Sequence, residues 1–213
     1  MPTVGRTLLL GENGAGKSTL LKVLSGATRP SSGRISIGGR SLDERRRRQL
    51  VALMPQQIVP VPGLTVLEQV TYASWVGGCS SAEAARRASE ATGQVAMDEL
   101  AGRPATQLSG GQLRRLGVAE ALARPGQMVL LDEPTAGLDP KQRARFRTLI
   151  SELTVPCLLS THQVDDASDM YEHVIVLHQG TVAYQGEMVD FLRRGAGPRP
   201  AESAFLSTIG DSR

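Results

Sequence analysis

Gly11-Glu12-Asn13-Gly14-Ala15-Gly16-Lys17-Ser18-Thr19 is the stretch whose reading decides the fold. It fits Gly-x-x-x-x-Gly-Lys-[Ser/Thr] at Gly11, Gly16, Lys17 and Ser18. Before it, Thr7-Leu8-Leu9-Leu10 is a short apolar run that reads as a buried parallel strand. After it, Leu20 to Leu24 reads as the first turns of a helix. Strand, glycine loop and helix are the context in which this pattern binds phosphate. Glycines let backbone N–H groups converge on phosphate oxygens, and the helix N-terminus adds a positive dipole end. Lys17 supplies a full charge and the Ser18 hydroxyl a ligand for Mg²⁺. A glycine-rich turn with an incidental lysine is the competing reading, and the flanking strand and helix weigh against it.

The rest of the chain alternates strand and helix with one interruption. Arg34 to Ile37 reads as an edge strand of a small antiparallel layer, and Ser41 to Arg48 as a short helix carrying Arg45-Arg46-Arg47-Arg48. That run could touch phosphate or lipid headgroups; a solvated helix face is the expectation. Leu50 to Met54 is the next buried strand, ending at Gln56. From Val59 to Gln107 no strand is evident: Thr65 and Glu68 form a capping box for a helix through Trp75, and Ser81 to Gln94 form another. Leu108-Ser109-Gly110-Gly111-Gln112 opens a helix to about Ala123. Met128 to Leu131 is an apolar strand running into Asp132-Glu133, and Lys141 to Leu153 is amphipathic. Val155 to Ser160 is a strand ending at Thr161-His162, and Val164 to Tyr171 a short helix. Residues 174–177 and 181–184 form a hairpin. Glu187 to Arg194, and later Glu202 to Thr208, are helical.

In open parallel sheets ligands sit at the carboxyl ends of strands. The glycine loop, Gln56, Asp132-Glu133 and His162 each directly follow an apolar strand, so in one sheet they meet over one nucleotide. Asp132 suits a carboxylate holding the Mg²⁺ water shell, and Glu133 one that deprotonates attacking water. Ser109 and Gln112 have capping-box spacing and could merely start a helix, but two glycines weaken a first turn and let a phosphate approach it. Because the chain already has a phosphate loop, this second helix end is read as serving another copy's nucleotide.

Composition narrows the rest. In 213 residues, 40% hydrophobic and 21% charged, there is enough for one α/β domain with a helical subdomain. The net charge of +3 comes almost wholly from Arg, since Lys stands only at 17, 22 and 141. Aromatic content of 3% is too sparse for a base-stacking platform, so no nucleic acid is expected. Cys79 and Cys157 lack metal-ligand spacing, which points to free thiols in a reducing cytoplasm. No apolar run has the length of a membrane span, and none reads as a secretory leader.

Together these residues resemble the ATP-binding subunit of an ABC transporter. The motifs run from Gly5 to about Gly186, and Leu108 to Gln112 in this order is close to diagnostic. The resemblance implies a RecA-like P-loop NTPase fold, a mostly parallel sheet flanked by helices with a reduced antiparallel layer. It implies a core at 1–58 and 109–194, a helical subdomain at 59–108 and a tail at 195–213. It implies an ATPase working as a head-to-tail pair with ATP and Mg²⁺ at the seam. The loop residues Gly11, Asn13, Gly14, Ala15, Gly16, Lys17, Ser18 and Thr19 would hold the phosphates. Ser18, Gln56 and Asp132 would serve the metal, with Glu133, His162 and Gln56 catalytic. Ser109, Gly111, Gln112 and Asp139 would come from the other copy. The block at 59–107 would dock a multi-span permease at the cytoplasmic face of the membrane. Thr135 to Pro140, Ser160-Thr161-His162 and Ala204-Phe205-Leu206 are similar to the ABC-2 type exporter branch, which implies export. A cassette acting on ribosomes or DNA is the alternative, but its usual coiled coils or basic extensions are not visible; a degenerate cassette is disfavoured by the full catalytic set. The family carries further strands and an adenine-stacking aromatic ahead of this start. The N-terminus is therefore expected to be shortened, leaving the 34–37 strand and the 174–184 hairpin with unpaired edges. Nucleotide binding would then rest on phosphates and weaken by about one to two orders of magnitude.

Overall fold

The computed structural model describes residues 5–37, 39–168 and 170–210. Strand β1 is Arg6–Leu10 and helix α1 is Lys17–Leu24. Two short strands, β2 (Ser36–Ile37) and β3 (Arg40–Ser41), precede α2 (Glu44–Leu50) and β4 (Val51–Met54). Next come α3 (Val66–Val76), α4 (Ser81–Gln94), α5 (Gly110–Ala123), β5 (Met128–Asp132), α6 (Pro140–Glu152) and β6 (Cys157–Thr161). The chain ends in β7 (His173–His178), β8 (Thr181–Glu187), α7 (Met188–Arg193) and α8 (Pro200–Gly210).

Six strands form one sheet in the order β4-β5-β6-β1-β7-β8, parallel except for β8, and β2 with β3 makes a separate antiparallel ribbon. Alternation along the strands divides the core. Leu8, Leu10, Leu131, Leu159, Val174 and Val176 pack on one face with Leu116, Phe146 and Ile150. Leu9, Leu130, Leu158, Ile175 and Leu177 pack on the other with Leu21 of α1. A sheet covered on both faces needs near-continuous apolar strands, which is why these runs carry no polar alternation. Burying each such leucine contributes roughly 1.5–3 kcal/mol.

Helix boundaries follow the cap chemistry. Thr65 and Glu68 make the capping box of α3, Ser80 caps α4, and Asp139 caps α6 with Pro140 in the first turn. The helices α3, α4 and α5 pack on one another between β4 and β5.

Three expectations are corrected. The 34–37 strand shortens to Ser36–Ile37, and Ser41 belongs to its partner strand rather than to a helix, because Asp43 accepts from Arg46 N (2.7 Å) and starts α2 only at Glu44. The helix expected at 164–171 is a single 3₁₀ turn at Val164–Asp166. There the Asp166 carboxylate, 4% exposed, accepts from the Thr161 hydroxyl at 2.9 Å, and Ala167 turns extended. Within the hairpin the first strand is not an edge: β7 pairs in parallel with β1 from Thr7↔His173 to Leu10↔Val176, so of the two strands only β8 keeps an unpaired edge.

Candidate functional site: a nucleotide-binding strand edge

Register brings the expected residues together. Leu10 is level with Thr161, Asp132 with Ser160, and Leu131 with Met54. The four strand ends therefore form one rim, and the segments leaving them share one neighbourhood.

The glycine loop is shaped by close backbone approach. Gly11 N donates to Thr161 O (3.3 Å), and a Cβ at Gly11 would stand 2.5 Å from Leu177 O, so a side chain there would displace β7. Gly14 and Gly16 have φ of +84° and +98°, open to glycine without strain. Gly180 N, in the β7–β8 turn, donates to Ala15 O (3.1 Å) and props the loop from the far side. No side chain caps α1. Its first-turn N–H groups are thus presented to a ligand, and a phosphate fits that need.

Lys17, 6% exposed, donates to Gly11 O (2.7 Å) and Glu12 O (3.1 Å), and its Nζ lies 3.3 Å from Glu133 Oε1. The other carboxylate oxygen of Glu133 lies 2.9 Å from His162 Nδ1. Lysine, glutamate and histidine from three strand ends are thereby joined through one carboxylate. Glu133 is 5% exposed and sits at φ +48°, a left-handed conformation that costs a non-glycine residue about 1–2 kcal/mol. Ser160 holds it there. Its hydroxyl accepts from Glu133 N (3.0 Å) and donates to Asp132 Oδ1 (2.7 Å), engaging both acidic residues at once.

Among the described residues, no cluster of three or more His, Cys, Asp or Glu could hold a metal by protein ligands alone. One buried carboxylate, Asp132, with the Ser18 hydroxyl is an all-oxygen set suited to Mg²⁺, which keeps most of its shell in waters and substrate phosphates. The chemistry of the residues therefore fits ATP with Mg²⁺.

Other expected residues are placed less directly. Gln56 is exposed on the loop after β4, where its backbone carbonyl accepts from Arg114 of α5; Arg114 also donates to Ala136 O (3.2 Å). Burial lowers the proton affinity of that guanidinium, and the neighbouring Glu133 charge raises it. Ser109 and Gln112 form the capping box: Ser109 N donates to Gln112 Oε1 (2.8 Å). A Cβ at Gly111 would meet the side chain of Gln142 from α6, whereas one at Gly110 would meet open space. Nothing inside the fold requires a glycine at 110, so the helix end is open to a group from outside. Asp139 is exposed at the cap of α6.

Ser160, Asp166 and Arg114 escaped the sequence reading as site residues. Ser160 and Asp166 are buried polar groups next to His162, and a serine ending an apolar strand was the available signal. Arg114 carried none, because its partners are backbone carbonyls distant in sequence.

The fold and this rim define a P-loop ATPase of the ATP-binding-cassette class. The chain belongs to the ABC transporter family, whose description matches residues 2–136. It is 38% identical over 201 residues to the energy-coupling factor transporter ATP-binding protein EcfA2 of Lactiplantibacillus plantarum, covering 87% of this chain and 68% of that protein. It is 37% identical over 187 residues to the cobalt import ATP-binding protein CbiO of Rhodobacter capsulatus, covering 84% of this chain and 67% of that one. A solved dimeric ATP-binding cassette in a post-hydrolysis state, bound to ADP and Pi, superposes with a TM-score of 0.73 at 28% identity over 86% of this chain and 85% of that one. Across the curated relatives it matches, this chain spans between 56% and 72% of their length. The similarity to the ABC-2 exporter branch finds no support in these relatives, one of which is named for import.

Proposed function

We propose that this chain is the ATP-hydrolysing subunit of a membrane transporter, working as one of a head-to-tail pair. The observation that carries the reading is the Lys17–Glu133–His162 chain at the level ends of three parallel strands. Phosphate oxygens on the glycine loop, from Gly11 to Thr19, compete with Glu133 for Lys17. The released carboxylate stays hydrogen-bonded to His162 and is placed to take a proton from water. The water oxygen then bonds to the γ-phosphorus, and the bridging oxygen leaves on ADP. Ser18, Asp132 and the Gln56 loop would hold Mg²⁺, which would supply charge neutralisation to the phosphates. In the pair, Ser109, Gly111, Gln112 and Asp139 of one copy close over the nucleotide of the other.

The helical block at 59–107 is the surface for a permease. Among the described residues, Val59, Tyr72, Trp75 and Val76 are exposed, at 71%, 53%, 55% and 57%. Tyr72, Trp75 and Val76 gather on α3, and exposed apolar groups gathered on one element mark an interaction site. No described helix is long and apolar enough to cross a membrane. The core at 1–58 and 109–194 supplies the chemistry. The cobalt-import relative makes import the direction we favour.

Glu133→Gln tests the mechanism. The variant should bind ATP, lose turnover by about two to four orders of magnitude and accumulate as an ATP-bound dimer. Phosphate release at the wild-type rate would remove Glu133 from its role.

A further inference from the structure

The arginine run of α2 takes no part in the nucleotide site, and it is not simply a solvated face. The carbonyl of Leu50, the last residue of α2, accepts from Gln127 N (2.8 Å) just ahead of β5. Helix α2 therefore lies at the amino ends of β4 and β5, opposite the rim that gathers the nucleotide residues.

Between α2, the 29–35 connector and the ends of α3 and α5 lies a cleft of about 890 Å³. Arg29, Arg34, Arg45, Arg47, Arg48 and Arg124 line it, against the carboxylates of Asp43 and Glu44. Both carboxylates are already engaged. Glu44 pairs with Arg29 (2.6 Å) and with Arg48, and Asp43 caps α2 through Arg46 N (2.7 Å). Arg34, Arg45, Arg47 and Arg124 make no ion pair among the described residues.

Arg47 is the informative member. It is 3% exposed, and its Nε is buried with no hydrogen-bond partner. An isolated buried charge is costly unless an opposite charge joins it. Burial also lowers the proton affinity of Arg124 across the cleft. Several guanidinium forks converging on one cavity match the oxygen geometry of phosphate, which they grip bidentately.

We propose that this cleft binds a phosphate-bearing anion, gripped by Arg47 and Arg124 with Arg34 and Arg45 at its mouth. The phosphate belongs either to a small soluble metabolite or to the headgroup of an anionic lipid. The site shares no residue with the nucleotide rim, so its ligand does not compete with ATP for side chains.

The test uses the full chain carrying Lys17→Ala, which removes the glycine loop as a competing phosphate site. Inorganic pyrophosphate is titrated calorimetrically, and vesicles of phosphatidylglycerol or of phosphatidylcholine are co-sedimented. We expect saturable binding of pyrophosphate, or binding to phosphatidylglycerol but not phosphatidylcholine vesicles. The first outcome assigns a soluble ligand and the second a lipid headgroup. Either should weaken by about tenfold in Arg47→Gln or Arg124→Gln. Because Arg47 is buried and its replacement could unfold α2, Arg34→Gln/Arg45→Gln, both exposed, is measured alongside and should weaken binding at least severalfold. Absence of binding to both probes, or binding unchanged in the exposed double variant and in Arg124→Gln, overturns the proposal.

Discussion

Glu133 is held in a backbone conformation that its own side chain disfavours, and Ser160 is the restraint. One hydroxyl satisfies the Glu133 N–H and fixes Asp132 Oδ1, and it does so at a fully buried position. Ser160→Ala leaves a buried donor unpaired and a buried carboxylate short of one partner. That should cost about 1–3 kcal/mol, with melting lowered by roughly 2–4 °C for each kcal/mol in a chain of this size. Thermal denaturation measures it, and turnover should fall in the same variant because both acidic side chains lose their aim. A melting temperature equal to wild type would mean that the strained backbone is held by something else. The candidate nucleotide residues were legible in the sequence because phosphate chemistry demands particular types at particular spacings. Ser160 and Asp166 were not, since their partners, Asp132, Glu133 and Thr161, become neighbours only through the β5–β6 pairing and the turn after β6.

At the scale of elements, Gln69 is one of the polar ties between the helical block and the core, beside Ser74 and Arg87, which donate to Ala123 O. Gln69 of α3 accepts from Val61 N (2.8 Å) and donates to Val59 O (3.1 Å) and to Glu120 of α5 (2.7 Å). It thus pins the loop after Gln56 to both helices. Burial pushes the Glu120 carboxyl above its ordinary value, partly offset by the bond from Gln69. The folded chain therefore keeps this proton at pH values where the unfolded chain has lost it, so stability falls as pH rises from the ordinary glutamate range through the raised value. Glu120→Gln keeps the shape and can still accept from Gln69. Its loss of stability between about pH 5 and pH 8 should be smaller than that of wild type, as read from denaturant midpoints. Equal losses would show that Glu120 does not titrate in that window. Capping chemistry made these helices readable in advance: Thr65 with Glu68 and Ser109 with Gln112 form the reciprocal pairs their spacing implied. The segment after His162 was misread because its polar residues bury themselves: Asp166 binds Thr161 instead of leaving a helical face to solvent. The short β2–β3 ribbon was overextended for a related reason, as Asp43 claims the first turn of α2 and ends the strand pair early.

Across the whole molecule, each nucleotide rim is chemically one-sided. Lys17, Asp132, Glu133 and His162 all approach from the carboxyl ends of the sheet. The other phosphate-competent helix end, at Ser109 to Gln112, is exposed and finishes its own capping box without needing Gly110. A helix end that satisfies itself and still has a glycine at 110 facing open space is available to a second molecule. The proposed ATP-bound pair would depend on Ser109 in trans, whereas ATP binding by one copy would not. Ser109→Arg separates the two. The large cation fills the space above Gly110 and removes the hydroxyl proposed to meet the partner's nucleotide, so ATP should no longer drive dimer formation, even when Glu133→Gln is present to trap it. Nucleotide binding to the monomer should stay within about twofold of wild type, because Ser109 belongs to the far end of α5 and not to the glycine loop. Loss of the Ser109 cap should cost about 1 kcal/mol, too little to unfold the chain. Size-exclusion chromatography with and without ATP, beside fluorescent nucleotide titration, reads both quantities in one preparation. Dimers forming as readily as in Glu133→Gln alone would mean that the two copies do not meet through this helix end.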